Sequence, residues 1–285
     1  CLLLSLSSEG KVQHFGAGWN IGNPEPLWRT DLPAGEFLAA ALAPDGSRLG
    51  FGFSVPPADE VRHFAFLNAE TGELLQRDSG ATGGAVLRFS PDSRSLLTAG
   101  LRAVAELRDT TTGKVSRKLE VTGKDITTAA WSPDSRSVVL GAMGEVLVFS
   151  AEDGSRLYAP LPHPSWLGHV CFRPDGKAFA TACRDGSLQL RDARTGQQMT
   201  SIRSQGNNAD TVLFTADSRF FMARDSAGFR FWDGSDGEPL TPHFAAPNVG
   251  VGTSDCENFR SMLTPDGSTF LVGTGRTEPA LHRVA

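Results

Sequence analysis

A short turn motif recurs six times along this chain of 285 residues, at nearly constant spacing. Each copy places Asp in the middle, usually with Pro before it and Gly or Ser after it. The copies are Pro44-Asp45-Gly46, Pro91-Asp92-Ser93, Pro133-Asp134-Ser135, Pro174-Asp175-Gly176, the degraded Ala216-Asp217-Ser218, and Pro265-Asp266-Gly267. Successive copies are 47, 42, 41, 42 and 49 residues apart. A period of this length indicates one repeated supersecondary unit, so folding accounts for most residues and few are left to indicate a function.

A second turn, ending in glycine, recurs between the copies of the first, as in Glu70-Thr71-Gly72 and Arg194-Thr195-Gly196. In the fifth repeat the turns separate four segments, which we name strand a (170–172), b (178–182), c (187–191) and d (197–202). Pro, Gly and Asp suit tight reversals of this kind. Four short strands per period of roughly 40–45 residues predict an all-β fold, a seven-bladed β-propeller of four-stranded antiparallel blades.

Both ends of the chain carry incomplete repeats. Residues 5–10 align with 181–186 position for position, so the first blade lacks strand a, and 259–285 supplies a last blade that lacks strand d. The single predicted domain, 1–285, divides into repeats at about 1–33, 34–80, 81–121, 122–161, 162–203, 204–245 and 246–285. Propellers often close by completing the last blade with an N-terminal strand. We therefore expect the natural chain to continue upstream by at least two strands, with a covalently linked upstream domain.

Composition excludes several classes of function. The chain has 27 basic and 32 acidic side chains and a pI near 5.7, which does not favour binding to a nucleic-acid backbone. Cys171 and Cys183 lie on two arms of one predicted hairpin, where other repeats carry small residues, which favours small core residues over a disulfide. The sequence has no transmembrane run and no N-glycosylation sequon, and we expect a cytoplasmic protein.

Several segments resemble WD repeats, along essentially the whole chain. They are Phe89-Ser90-Pro91-Asp92, Trp232-Asp233 at the end of a strand c, Arg191-Asp192 and Arg108-Asp109 at equivalent places, and Asp185-Gly186 between strands b and c. The amino-acid sequences of the repeats are similar to those of bacterial WD-repeat proteins. The resemblance implies a non-catalytic scaffold that presents a loop-lined face to a protein or peptide. It leaves open a regulatory propeller of a larger bacterial enzyme, such as a Ser/Thr kinase, because such propellers can follow a kinase domain.

The resemblance also implies a buried hydrogen-bond network in each blade. Carried over to the fifth repeat, it gives His163, Thr181 and Asp185, with Arg191 where the family has tryptophan. Trp232 and Asp233 are the matching pair in the sixth repeat. Arg102 and Met143 stand at the aspartate position of the third and fourth repeats, so the network is incomplete there.

Motifs for catalysis or cofactor binding are absent from the sequence. Gly113-Lys114 lacks the rest of a P-loop, Gly16-Ala17-Gly18 opens no helix, and there is no GxSxG or HExxH motif. The histidines are scattered, and Asp233, Asp236 and Glu238 do not have the spacing of a calcium loop. We therefore predict no enzyme, cofactor or metal, with an enzymatic propeller using its central channel as the remaining alternative.

Two long loops and a set of arginines point to a binding face. The loops are 55–60, between strands b and c of the second repeat, and 244–258, between the sixth and seventh repeats. The b–c turns on the same face carry Arg102, Arg184, Arg224 and Arg276. Arginines on one rim favour an acidic or phosphorylated peptide through bidentate contacts. Drift in tolerant surface loops and solvated turn residues are the alternative interpretation.

Overall fold

The computed structural model describes most of the chain. The described residues are 2–8, 11–18, 25–31, 36–54, 62–81, 86–100, 103–121, 123–245, 259–263, 269–274 and 280–283. They belong to two compact units, the first made of 1–127, 134–138 and 149–156 and the second of 128–133, 139–148 and 157–285.

Every regular element in the described ranges is a β-strand, and the strands form six sheets. The first sheet contains β1 (Leu2–Ser8), β2 (Lys11–Gly18) and β3 (Trp28–Asp31). The second contains β4 (Glu36–Leu42), β5 (Arg48–Ser54), β6 (Arg62–Asn68) and β7 (Leu74–Ala81). The third contains β8 (Val86–Phe89), β9 (Ser95–Ala99), β10 (Val104–Asp109) and β11 (Val115–Glu120).

The remaining sheets have six, four and three strands. The fourth contains β12 (Ile126–Trp131), β13 (Ser137–Ser150), β14 (Leu161–Phe172), β15 (Ala178–Cys183), β16 (Ser187–Asp192) and β17 (Gln198–Arg203). The fifth contains β18 (Thr211–Phe214), β19 (Phe220–Asp225), β20 (Gly228–Asp233) and β21 (Phe244–Ala245). The sixth contains β22 (Phe259–Leu263), β23 (Thr269–Thr274) and β24 (Ala280–Arg283). Because each strand lies next to its neighbour in sequence, the fold is all-β with a propeller-like arrangement, as the period predicts.

The six-stranded sheet departs from the predicted set of separate four-stranded blades. β13 runs through both strands b and c of the fourth repeat, with Gly144 at a φ of 75° between them. β14 likewise continues from the end of the fourth repeat into strand a of the fifth. β14 continues through Pro162 and Pro164, on either side of His163. β14 pairs with β13 over 161–166 and with β15 over 167–172, so the described strands join repeats four and five through one strand and do not form seven separate sheets.

The recurring turns form because aspartate caps the backbone locally. In the fifth repeat the Gly176 N–H donates to the Arg173 carbonyl over 2.8 Å, and the Asp175 carboxylate accepts the Lys177 N–H over 2.9 Å. In the second turn type, Asp192 accepts the N–H of Thr195 over 2.8 Å. These are the tight reversals that Pro, Asp and Gly predicted, and β15, β16 and β17 lie within one residue of the predicted strands.

Serine replaces glycine in three of the Asp-containing turns, and there it joins successive repeats. Ser93, Ser135 and Ser218 have φ values of 62°, 61° and 66°, in the left-handed region that disfavours a side chain. Their hydroxyl groups accept the N–H of the preceding turn's aspartate over 3.0–3.1 Å, in the pairs Asp45–Ser93, Asp92–Ser135 and Asp175–Ser218. Each hydroxyl therefore offsets a local backbone cost with a bond to the neighbouring repeat.

We expect Ser218→Ala to lower the free energy of unfolding by about 1 kcal/mol, because the Asp175 N–H loses its partner. Ser218→Gly loses the same bond but relieves the left-handed backbone, so this variant should be the more stable of the two by about 1 kcal/mol. Urea unfolding of both variants separates the two effects. Equal stability of Ala and Gly variants would contradict the assigned backbone strain.

The cores lie between successive sheets. In unit one, Phe64 and Phe66 of β6 pack with Leu87, Phe89 and Leu96 of the next sheet. In unit two, alanines of β15 and leucines of β16 pack against Val212, Phe221 and Trp232. In each of these two pairs, one sheet covers the apolar face of the next, as expected for stacked repeats.

Candidate functional site

The histidine and hydroxyl of the implied network meet in the fifth repeat. His163 is buried on β14, with Nε2 2.9 Å from Thr181 Oγ1 and Nδ1 3.2 Å from the Leu161 carbonyl. Because a carbonyl can only accept, Nδ1 carries the proton and Nε2 accepts the threonine hydroxyl. Burial lowers the pKa of His163 to about 4, with the Arg191 charge acting in the same direction, so the ring is neutral at pH 7. Asp185 instead accepts the N–H and hydroxyl of Ser187 within its own turn.

Two buried arginines occupy the position where the family has tryptophan. Arg191 donates to the Gly196 carbonyl over 2.8 Å and to Gln189 Oε1 over 3.0 Å. Arg108 donates to the Gly113 carbonyl over 3.2 Å and to Glu106 Oε2 over 2.8 Å. In both repeats the guanidinium therefore donates to the carbonyl of the glycine in the c–d turn. It also donates to the side chain two residues before the arginine. These hydrogen bonds hold the c–d turn in place, and they pair the buried positive charge with acceptors of the protein itself.

Trp232 and Asp233 also have structural contacts. Trp232 is buried and stacks on Phe221, with ring centroids 5.4 Å apart. The Asp233 carboxylate accepts the Ser235 N–H over 2.8 Å in the following turn. Both residues thus belong to the core and turn of the sixth repeat.

The structure describes two of the four predicted rim arginines, Arg184 and Arg224. Arg102 and Arg276 lie outside the described residues, as do the loop at 55–60 and most of the loop at 244–258. Arg224 is 5% exposed and forms an ion pair with Asp210, so its guanidinium faces the protein and not a partner. Arg184 is exposed on the b–c turn of the fifth repeat.

An exposed apolar patch adjoins Arg184. Trp166 on β14 is 41% exposed and lies opposite Met143 of β13, which is 42% exposed. The Arg184 guanidinium lies over the Trp166 ring, 5.4 Å from its centroid. We call Met143, Trp166 and Arg184 the Trp166 patch. It combines three residue types that are enriched in protein interfaces, and tryptophan and arginine are also enriched in their energetic hot spots.

Backbone contacts hold this patch in place. The Arg184 N–H donates to the Trp166 carbonyl over 2.9 Å, which ties the b–c turn to the strand carrying the tryptophan. Gly168, two residues further along, packs so closely that an added Cβ would lie 2.6 Å from the Ala209 carbonyl oxygen. Met143 and Trp166 are therefore presented by paired strands, and Arg184 by a short turn bonded to them, and not by a long loop.

A neighbouring polar cluster fixes the connection between the fifth and sixth repeats. Asp225 accepts the N–H groups of Gly206 and Ala227 over 2.9 and 2.8 Å and lies 3.3 Å from His243 Nε2. Burial alone would raise the pKa of Asp225, but these hydrogen bonds and the nearby His243 outweigh it and lower the pKa. Arg203, also at this edge, lies 3.7 Å from the Asp185 carboxylate. These acids are thus engaged with groups of the protein itself.

The described residues offer no arrangement suited to catalysis by a metal or thiolate. Among them, no group of three or more His, Cys, Asp or Glu side chains could hold a metal ion. Cys171 and Cys183 are free thiols, and burial raises the pKa of Cys183 to about 11, which keeps it protonated. Within the described ranges there is also no helix with the length and apolar character needed to span a bilayer.

The sequence reasoning missed Trp166 and treated Met143 only as a departure from the aspartate pattern. A large aromatic residue placed outside the core strands was the available signal. The described sheets define a class of protein: an all-β repeat protein with a propeller-like arrangement.

Comparisons with known proteins find that this chain is similar to WD40 repeat proteins. Residues 162–217 match the family model described as the anaphase-promoting complex subunit 4 WD40 domain. This segment contains Trp166, Arg184 and the His163–Thr181 pair.

Individual relatives are similar over longer stretches of the chain. The chain is 27% identical over 203 residues to telomerase protein component 1 of Rattus norvegicus, covering 69% of this chain and 7% of the rat protein. It is 28% identical over 130 residues to WD repeat-containing protein SL1-17 of Schistosoma mansoni, covering 45% of this chain and 43% of that protein. It is 27% identical over 113 residues to small ribosomal subunit protein RACK1 of Schizosaccharomyces pombe, covering 39% and 35%. The chain thus spans only a small part of the rat relative, and these three relatives are eukaryotic, whereas sequence analysis expected a bacterial type.

Proposed function

We propose that this chain is a non-catalytic scaffold that binds a protein or peptide partner through the Trp166 patch. This proposal rests mainly on one observation: Trp166 is exposed beside Met143, and the Arg184 guanidinium lies over its indole ring. Tryptophan, methionine and arginine supply apolar area, adaptable packing and directional hydrogen bonds, the contributions that dominate protein interfaces. The scaffold role of WD40 relatives supports the same function.

The proposed surface lies where the b–c turns meet the connections between repeats. Arg184 is the described member of the predicted arginine rim that reaches this surface, and it favours an acidic or phosphorylated partner. We keep seven repeats as the proposed architecture, in which repeats four and five are joined along β13 and β14. No described residue supports the alternative function, a regulatory propeller attached to a kinase.

Loss of the patch should abolish partner capture without affecting the fold. We expect the double variant Met143→Ala, Trp166→Ala to recover specific partners from a lysate of the source organism at least about tenfold less than the unchanged protein. The matched control is Met199→Ala, Leu240→Ala, because these residues are 46% and 48% exposed but lie on the strand d side of their repeats. Quantitative mass spectrometry of both captures measures the effect. Equal capture by the two double variants would contradict the proposed surface.

A further inference from the structure

We infer that the occupant of the Trp166 patch is a protein segment in which a large apolar side chain is followed closely by a carboxylate. This inference rests on the proposed function and specifies the partner's chemistry. The apolar side chain would pack on Trp166 and Met143, and the carboxylate would bind Arg184.

Arg184 places a cation beside the indole ring of Trp166. The Cζ atom of its guanidinium lies 5.4 Å from the ring centroid and the residue is exposed, so its N–H donors can reach a partner that covers the indole ring. A planar fork of N–H donors matches the two oxygens of a carboxylate. The contact from the Arg184 backbone to the Trp166 carbonyl keeps the cation beside the apolar surface, so one ligand segment reaches both.

The charges around the patch favour a single negative charge over a phosphate. Arg203 already faces Asp185, and Arg224 is paired with Asp210 inside the fold. Recognition of a phosphate dianion normally uses a cluster of arginines. Among the described arginines of this face, Arg184 is exposed and faces an aromatic ring, whereas Arg203 and Arg224 face carboxylates. A single arginine of this kind suits a partner group with one negative charge.

The apolar part of the ligand follows from the two other residues. Met143 is unbranched and can adapt to side chains of different shape, while Trp166 supplies a large rigid surface. Both are near half exposure, so each has area that a partner can cover. A leucine, phenylalanine or tryptophan in the ligand would bury that area together with the face of the indole ring.

The test is a selection from a displayed library of random dodecapeptides on the unchanged protein, with counter-selection on Trp166→Ala. We expect enriched peptides to carry a large apolar residue within a few positions of Asp or Glu. Binding of a synthetic enriched peptide, measured by fluorescence anisotropy, should weaken at least about tenfold with Arg184→Glu. Replacing the peptide's carboxylate residue by Lys should restore part of that loss in the Arg184→Glu protein. A phosphoserine version of the peptide should bind no more tightly than the carboxylate version.

The matched control is Arg219→Glu, because Arg219 is also exposed and lies 4.8 Å from the ring of Phe220 in the same unit, on an a–b turn. It should leave peptide binding unchanged, and thermal unfolding of each variant checks that the fold is retained. Failure to enrich any peptide, enrichment of basic peptides, tighter binding of phosphoserine, or full binding by Arg184→Glu would overturn the inference. If lysate partners still depend on Met143 and Trp166 in that case, the proposed function stands and only the acidic chemistry fails.

Discussion

Replacing Gly186 with alanine is expected to lower the free energy of unfolding by about 4 kcal/mol. Gly186 has a φ of 85°, where a side chain is strained. An added Cβ would also lie 2.4 Å from the Gly206 carbonyl oxygen and 3.0 Å from Ser204 Oγ. Since the first of these atoms is backbone, the b–c turn and the following connection would have to move apart.

Gly176 provides the matched control within the same repeat. Its φ of 73° is similar, but the nearest atom to an added Cβ is the Pro133 Cδ at 3.9 Å, an ordinary contact. Gly176→Ala should therefore cost only the left-handed backbone term, about 1–2 kcal/mol. Urea unfolding of the two variants measures the difference. Equal losses would show that the turn at Gly186 does not approach the Gly206 carbonyl as described.

Lowering the pH from 6.5 to 4 should cost the protein about 3 kcal/mol of stability through His163 alone. Burial lowers the pKa of this imidazole from 6.5 to about 4 in the folded chain, whereas the unfolded chain regains the ordinary value. As the pH falls through this window, the unfolded state binds a proton that the native state does not. Stability is therefore full above pH 6.5 and declines as the pH falls toward 4.

His163→Gln isolates this contribution, because glutamine can still bond Thr181 but does not titrate. We expect the variant to lose much less stability between pH 6.5 and pH 4, measured as the shift of the urea midpoint at each pH. Carboxylates with lowered pKa values, such as Asp185 and Asp192, affect both proteins equally and mainly below about pH 5. Parallel pH profiles for the two proteins would contradict a buried neutral histidine.

Turn chemistry made much of the fold predictable. Aspartate caps such as Asp175 and Asp192 act within a few residues of themselves, so their spacing identified the ends of strands β15 to β17 from local sequence alone. The continuity of β13 and β14 was not predictable in the same way. Whether a chain bends sharply at Gly144 or continues through Pro164 depends on which strands pair alongside it, and that pairing is a tertiary property.

The candidate site was predictable only in part. Arg184 was identified because it lies in a turn, but Arg224, at the equivalent place in the sixth repeat, lies near the end of β19 and is paired with Asp210 inside the fold. Nothing in the local sequence distinguishes the two, because Asp210 lies 14 residues before Arg224, just ahead of β18. Trp166 shows the opposite case. Its residue type alone favours burial, but its place in the sheet shared by repeats four and five leaves it exposed.

The strand shared by repeats four and five has a consequence for how the gene of such a protein can be rearranged. In most repeat arrays a unit can be duplicated, deleted or exchanged with a cut at its boundary, because its strands end there. A cut inside β14 would divide a single strand and leave each half without its continuation. We therefore expect these two repeats to be inherited together, and to be exchanged in chimaeric proteins as one unit of two repeats.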